Sequence, residues 1–451
     1  MNQEDFNELL QKGQHLSFQG QNEEALRIFE DLLQRPIDDE QRVILYYELG
    51  WCFMQEGNYS AAETVFQKQH DEAKLQDNKW GLGAAFNGLG LLHLRRGYLK
   101  KALEKLESSL RLRIEIDNKK EVVGAYNNIS IVYLARGLVS KTLKLLEENL
   151  KIEKELNDIP GIHSALLNLG AVARIDDNYE KAEEYFKKVL DEGTEKVYLP
   201  TYLLTIHNQA LLWKEKENWD ETIKWYKKGI KLAQDNNVGG ELYLGLLIGM
   251  AKVLAKTDPG ESIKTLFEAE NVARGAKSET GKIDCILGYG DAGKEMKNWK
   301  EAHRRYTQGL EQAVDKQYLD GMLTAYINLA ELGVLQYKEN KDPALLKKLR
   351  EPLEEMMILV EEEDLFALRV LLLELESYLL LFNKQFDQAL DRVNQAQKIV
   401  DNAPLDRFKS RIVSYKKTLE NRIEVYKTEP EIKEEDIGIM LKVFHECKKY
   451  A

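Results

Sequence analysis

The amino-acid sequence predicts an all-α fold, an α-α superhelix of about ten stacked helix pairs closed by a C-terminal capping helix. Three observations carry that expectation. A short motif recurs at a fixed 40-residue interval, each interval leaves room for two helices, and Pro is scarce, with 8 in 451 residues. Repeats have to be sought before domains are counted, because missing them misassigns the whole chain.

The motif is a small residue preceded by charged residues and followed by an apolar one. It falls at Ala25, Ala62, Ala102, Thr142, Ala182, Thr222, Ser262 and Ala302, and from Ala62 to Ala302 the interval is 40 six times in succession. The first interval is 37, and weaker anchors at Ala344 and Ala389 follow at 42 and 45. A second small residue lies 12 positions upstream at Gly13, Gly50, Gly90, Ser130, Gly170, Ala210, Gly290 and Ser377, with Ala251 and Ala330 at 11 and 14.

Each unit reads as two helices. The first carries apolar residues at helical spacing, as at Ala125, Ile129, Val132 and Tyr133. Gly20, Gly57, Gly97 and Gly137 mark where it stops in the first four units. The second helix has its own stripe, such as Leu143, Leu146 and Leu150. Small anchors let antiparallel helices cross closely, and Phe29, Phe66, Phe186, Tyr226 and Tyr306, four residues after the second anchor, fill the space against the next unit. No unit buries its apolar face alone, so stacking must bury a continuous core. One elongated array is therefore expected over residues 1–403, regular over 45–325. Phe408, Ile412, Tyr415, Leu419 and Ile423 mark a capping helix at 404–428, and 429–451 reads as an acidic linker and short amphipathic tail.

The segments YNNISIVYLARGLVSKTLKLLEENL (126–150) and LLNLGAVARIDDNYEKAEEYFKKVL (166–190) resemble tetratricopeptide repeats, and the resemblance covers roughly residues 5 to 400. The 40-residue spacing is similar to the subtype found in kinesin light chains, Pins-type polarity adaptors and Rap-type peptide receptors. Thr142 and Thr222 depart from the commoner Ala, Asp258-Pro259-Gly260 reshapes the seventh turn, and Lys341-Asp342-Pro343 lengthens the ninth. The regular array is expected to end near residue 330. The resemblance implies a non-catalytic scaffold or adaptor that binds a partner protein's peptide or helix in a concave groove lined by the first helices. The alternative is a ligand-gated sensor of the Rap-like kind, although such receptors carry a separate N-terminal module and here repeats begin near residue 5.

A residue two positions before the upstream anchor is rotated by about 200° from it and points away from the helix pair, into the groove. That position is Asn128, Asn168, Asn208 and Asn328, with Asn87 and Asn127 adjacent to it in their units. Carboxamides offer both a donor and an acceptor to an extended peptide, and the resemblance implies that Asn here touches the bound chain. The alternative is that this Asn belongs to the repeat's own consensus and bonds a neighbouring helix. Arg95, Arg96, Arg174 and Lys214 lie further along the same helices and set a basic strip that favours an acidic peptide or a C-terminal carboxylate.

A net charge of -12 argues against nucleic acid and anionic membranes as partners. No 18-residue window is free of charge, so no membrane insertion is expected. Cys52, Cys285 and Cys447 form no CxxC pair, which argues against disulfides and zinc and for a cytoplasmic location. The seven His residues form no HExxH motif, and the chain lacks a P-loop, a GxSxG and a dinucleotide fingerprint, so no catalytic residue, cofactor or metal is expected. In the tail, set apart by Pro430, Ile437, Met440, Leu441 and Phe444 share one helix face. It either caps the last repeats or lies in a groove, its own or a second copy's, the latter giving self-association.

Overall fold

A 40-residue period with two helices leaves 20 residues for each helix and its turn. The computed structural model describes residues 3–18, 21–429 and 431–451 and is built in that way. Positive φ recurs at Gly57, Asp77, Gly97, Asp117, Gly137, Asn157 and Asp177, one turn every 20 residues. Turns within and between pairs are thus the same device. The left-handed residue closes one helix, as where the Asn58 N–H donates to the Phe53 carbonyl at 2.9 Å. The next residue caps the following helix: the side chains of Asn58, Asn78, Asn178 and Asn218 accept from the backbone N–H of Ala61, Gly81, Lys181 and Glu221. Among the first four units the sequence reading marked the glycine turns, of which Gly20 lies outside the described residues. At Asp77, Asn157 and Asp177 the closing bonds and the cap offset a left-handed cost of about 1–2 kcal/mol.

The first compact unit spans Met1–Val132. It holds α1 (Gln3–Phe18), α2 (Asn22–Leu33), α3 (Asp39–Gln55), α4 (Tyr59–Leu75), α5 (Lys79–Arg95), α6 (Leu99–Glu115) and the greater part of α7 (Lys119–Ala135). Phe29 and Phe66 are fully buried in its core. Their rings lie on the small anchors, and a Cβ at Gly50 would sit 2.3 Å from Phe66 Cε1.

The second unit spans Tyr133–Ala451. It continues with α8 (Val139–Leu156), α9 (Ile159–Ile175), α10 (Tyr179–Leu190), α11 (Leu199–Glu215), α12 (Trp219–Asp235) and α13 (Gly240–Thr257). Then come α14 (Pro259–Gly275), α15 (Glu279–Glu295), α16 (Trp299–Asp315), α17 (Leu319–Asn340), the short α18 (Pro343–Lys347) and α19 (Arg350–Glu362). It ends with α20 (Phe366–Phe382), α21 (Phe386–Asn402), α22 (Asp406–Thr428) and α23 (Glu434–Cys447). Phe186, Tyr226 and Tyr306 are fully buried. A Cβ at Gly290 would meet Tyr306 Cε1 at 2.4 Å. Gly290→Ala is therefore expected to lower stability by about 1–2 kcal/mol, overpacking outweighing the gain in helix propensity. Urea unfolding checks this, and an unchanged midpoint would mean that the ring has room to move.

Pro enters both of the turns that depart from the repeat. Asp258 caps α14 with Pro259 in its first turn, and Asp342 caps α18 with Pro343 in its first turn. Beyond α18 the unit turns back on itself. Arg136 Nη2 meets Asp364 Oδ2 at 2.8 Å, Ser140 Oγ donates to Asp406 Oδ2 at 2.9 Å, and Arg407 Nη1 donates to the Ile175 carbonyl at 2.6 Å. Gly137, at φ +76°, packs so closely on Ala367 that a Cβ there would lie 2.2 Å from its methyl. The α8 and α9 ends thus meet α20 and α22, and the second unit is a closed ring rather than an open groove. Asp177 and Asp364 are both left-handed turn residues, so the repeat's own turns supply carboxylates for the closure.

The tail helix α23 completes this ring. Ile437, Met440, Val443, Phe444 and Cys447 are buried, and the helix packs on α17 and α20. Leu441, expected on the same stripe, is instead only half-buried and lines the ring's interior. Pro430 lies outside the described residues. Among the described residues no helix is long and apolar enough to cross a membrane.

Candidate functional site

Inside the ring, between the first helices α11, α13, α15 and α17 on one side and α22 and α23 on the other, lies a cavity of about 1150 Å³. Ten basic side chains line it against seven acidic ones, in a chain whose net charge is -12. The repeat register explains part of that excess. Lys214 and Lys294 each stand four residues after a small anchor, on the same face of α11 and α15, and Arg174 holds that register on α9 outside the cavity lining.

Some of these cations are matched. Arg174 Nη1 lies 3.3 Å from Glu215 Oε1. Glu331 of α17 takes two ammonium groups, Lys294 at 2.8 Å and Lys448 at 2.7 Å. Burial alone would raise the Glu331 pKa, but Lys448 and Lys294 outweigh it and hold the carboxyl at about 2. Lys449 spans Asp177 at 2.9 Å and Glu446 at 3.2 Å, tying the tail to the α9–α10 turn.

Others are not matched. Lys214, Lys252 and Lys256 form no ion pair among the described residues. Burial first, then the charges of Lys252, Arg174 and Lys448, against the pull of Glu215, bring the Lys214 ammonium down to about 8. The Lys256 ammonium sits 5.1 Å over the Trp219 ring. Asn328 is 2% exposed and its Oδ1 has no hydrogen-bond partner, although the residue lines the cavity. A buried carbonyl in that state carries a desolvation penalty of about 1–3 kcal/mol. His207 stands edge-on to Tyr226 at 5.6 Å, and burial holds its pKa down at about 4, so it stays neutral at physiological pH.

The sequence-predicted residues divide between the two units. In the first, Asn128 Nδ2 donates to Asn87 Oδ1 at 2.9 Å, so these carboxamides join α7 to α5 instead of standing free in a groove. Asn127 is half-buried on α7 and Arg95 is exposed at the end of α5. In the second unit, Asn168 is half-buried on α9, and Asn208 Nδ2 donates to the Leu204 carbonyl of its own helix at 3.0 Å. Arg174 is occupied by Glu215, whereas Lys214 and Asn328 share the cavity wall. Sequence reasoning missed Lys252, Lys256, Lys294 and Lys448. Lys294 was within reach, since it is the Lys214 register two repeats on. Lys448 joins the site only through the closure of the ring.

A family model for the tetratricopeptide repeat matches residues 10–71, and a second matches residues 163–192. Each unit thus carries tetratricopeptide repeat sequence. No curated protein matches this tetratricopeptide repeat chain. Solved structures do. It is similar to the apo form of the quorum sensor NprR from B. thuringiensis, at 16% identity and a TM-score of 0.51, covering 80% of this chain and 99% of that one. NprR in complex with its cognate peptide NprX gives 16% and 0.53, covering 78% and 98%. The Rap conjugation gene regulator of the plasmid pLS20 in complex with the Phr* peptide gives 13% and 0.53, covering 79% and 97%. At these identities the likeness is one of fold.

Proposed function

We propose that this tetratricopeptide repeat protein is a non-catalytic receptor for a short peptide, held inside the ring of its second unit. One observation carries the reading: a cavity of about 1150 Å³ is walled by the first helices of successive repeats and closed by α23. Pockets for small ligands span about 300–1,000 Å³, so the space suits a short extended chain better than a single metabolite. An adaptor that grips a partner's helix needs an open groove, and the closing contacts of the second unit favour a short peptide over it. The peptide complexes of NprR and of the pLS20 Rap regulator, both similar in fold, support the choice.

A pool of random synthetic peptides of about six residues tests the reading by thermal shift and calorimetry. Ligand at about 100 times its Kd should stabilise the native chain by roughly 2.7 kcal/mol. Thr324→Trp, which places an indole in the cavity, should abolish the shift in a protein that still folds. If no peptide stabilises the native chain, or if Thr324→Trp leaves the shift intact, the receptor reading is wrong.

A further inference from the structure

The second helices of the second unit carry a charge pattern that the cavity does not explain. Two, five, six and nine residues after its small anchor, a second helix points within about 60° of the direction opposite that anchor, at roughly 100° per residue. On α12 these positions are Lys224, Lys227, Lys228 and Lys231, and all four are exposed. On α8 and α10 the same positions hold two lysines and two carboxylates each, so the signs offset one another. Lys224 has Glu221 at 2.8 Å, but Lys227, Lys228 and Lys231 form no ion pair among the described residues. Like charges four residues apart destabilise a helix, and a chain of net charge -12 needs no cationic stripe to stay soluble.

The next second helix, α14, sets an apolar element beside that stripe. Phe267, at the register of Lys227, is 63% exposed, and Ile263, one turn before it, is 40% exposed. Tyr243 of α13 ties the two helices together. Its hydroxyl accepts from Gln234 Nε2 of α12 at 2.8 Å and donates to Glu268 Oε1 of α14 at 2.6 Å. Lys228 is held in place, its ammonium 4.7 Å over the Trp225 ring and 5.7 Å over Tyr202. The seam thus has cations along α12 and an exposed aromatic ring on α14. A phosphate backbone would answer the lysines but leave Ile263 and Phe267 in water. An acidic amphipathic helix answers both, since carboxylates four residues apart match Lys227 and Lys231 while its other side is apolar.

We propose that the α12–α14 seam docks an acidic amphipathic helix of another protein, with its carboxylates on Lys227, Lys228 and Lys231 and its apolar side on Ile263 and Phe267. None of these residues lines the cavity, so the surface stands apart from the peptide-receptor reading. Exposed ion pairs are individually weak and screened by salt. The apolar contact therefore supplies the holding, and the lysine stripe supplies orientation and encounter rate.

The probe is a synthetic helix of about 16 residues with Glu along one face and Leu along the other. Its controls are an isostere with Gln for each Glu, a peptide of the same composition with the two faces scrambled, single-stranded RNA and vesicles of anionic lipid. Calorimetry on the full chain should give the acidic helix an affinity roughly tenfold or more above both peptide controls. Lys227→Glu/Lys231→Glu and Phe267→Ser should each lower that affinity by roughly tenfold. Neither variant should lower the melting temperature, because all three side chains are exposed. Added salt should weaken binding to the native chain, and Thr324→Trp, which fills the cavity, should leave that binding unchanged. Equal binding of the scrambled helix, or loss of binding in Thr324→Trp, would overturn the seam as the docking site. Failure of the acidic helix to bind the native chain would overturn it too, as would tighter binding of RNA or vesicles. Self-association of the native chain in sedimentation, abolished by Lys227→Glu/Lys231→Glu, would overturn the separate partner in favour of a second copy.

Discussion

Glu331→Gln is expected to cost about 3–5 kcal/mol of stability and to loosen the tail helix. The carboxylate is 14% exposed and receives Lys294 at 2.8 Å and Lys448 at 2.7 Å. Replacing it with a carboxamide leaves two ammonium groups facing one another, with only Asp291, 4.0 Å from Lys294, to offset them. Breaking a buried ion pair on one side costs far more than the pair contributes, because the orphaned charge stays behind. Chemical denaturation measures the loss directly. A second reading comes from acid. The folded carboxyl titrates at about 2, below its unfolded value of about 4.3, so its contribution is fully present above the unfolded value and is lost as pH falls toward 2. The native chain should lose on the order of 3 kcal/mol across that window and the variant should lack this component. A loss below about 1 kcal/mol, with the acid limb unchanged, would mean that the two lysines find water on their own. Lys448→Met in the Glu331→Gln background should recover part of the loss, because one of the two stranded charges is removed.

The fold was legible because close helix crossing makes a local demand. Only a small residue fits beneath the Phe66 or Tyr306 ring, so Gly50 and Gly290 announce the packing in the sequence. A few of the turns were legible too, at Gly57, Gly97 and Gly137. Others were not, since residues such as Asp77, Asn157 and Asp177 reach the left-handed region through closing hydrogen bonds and caps that leave no single diagnostic residue. The site was legible only in part. Register placed Lys214 and Asn328 in the interior, but it could not foresee that Glu215 reaches back to Arg174, or that Asn208 bonds its own helix. Ring closure lay wholly outside sequence reasoning. It depends on pairs such as Arg136–Asp364, 228 residues apart, and periodicity says nothing about contacts at that separation.

Phe444→Ala should release α23 and open the cavity. The side chain is fully buried, and α23 covers α17 and α20 with it, together with Ile437, Met440, Val443 and Cys447. Truncating a buried Phe costs about 3–5 kcal/mol. A 14-residue helix has too little intrinsic stability to stay folded without its packing. The loss should therefore be local. Repeat proteins are held by nearest-neighbour interfaces, so a fault in the closing helix loosens the elements it touches before it reaches distant repeats. Hydrogen exchange by mass spectrometry should show protection lost in α23 and reduced on α17 and α20, while α3 to α6 of the first unit keep theirs. Peptide binding should fail together with α23, because Lys448, Lys442 and Leu441 leave the cavity wall with it. Tighter peptide binding in the variant would show instead that the tail competes for the groove. Unchanged exchange in α23 would show that its apolar stripe does not hold it in place.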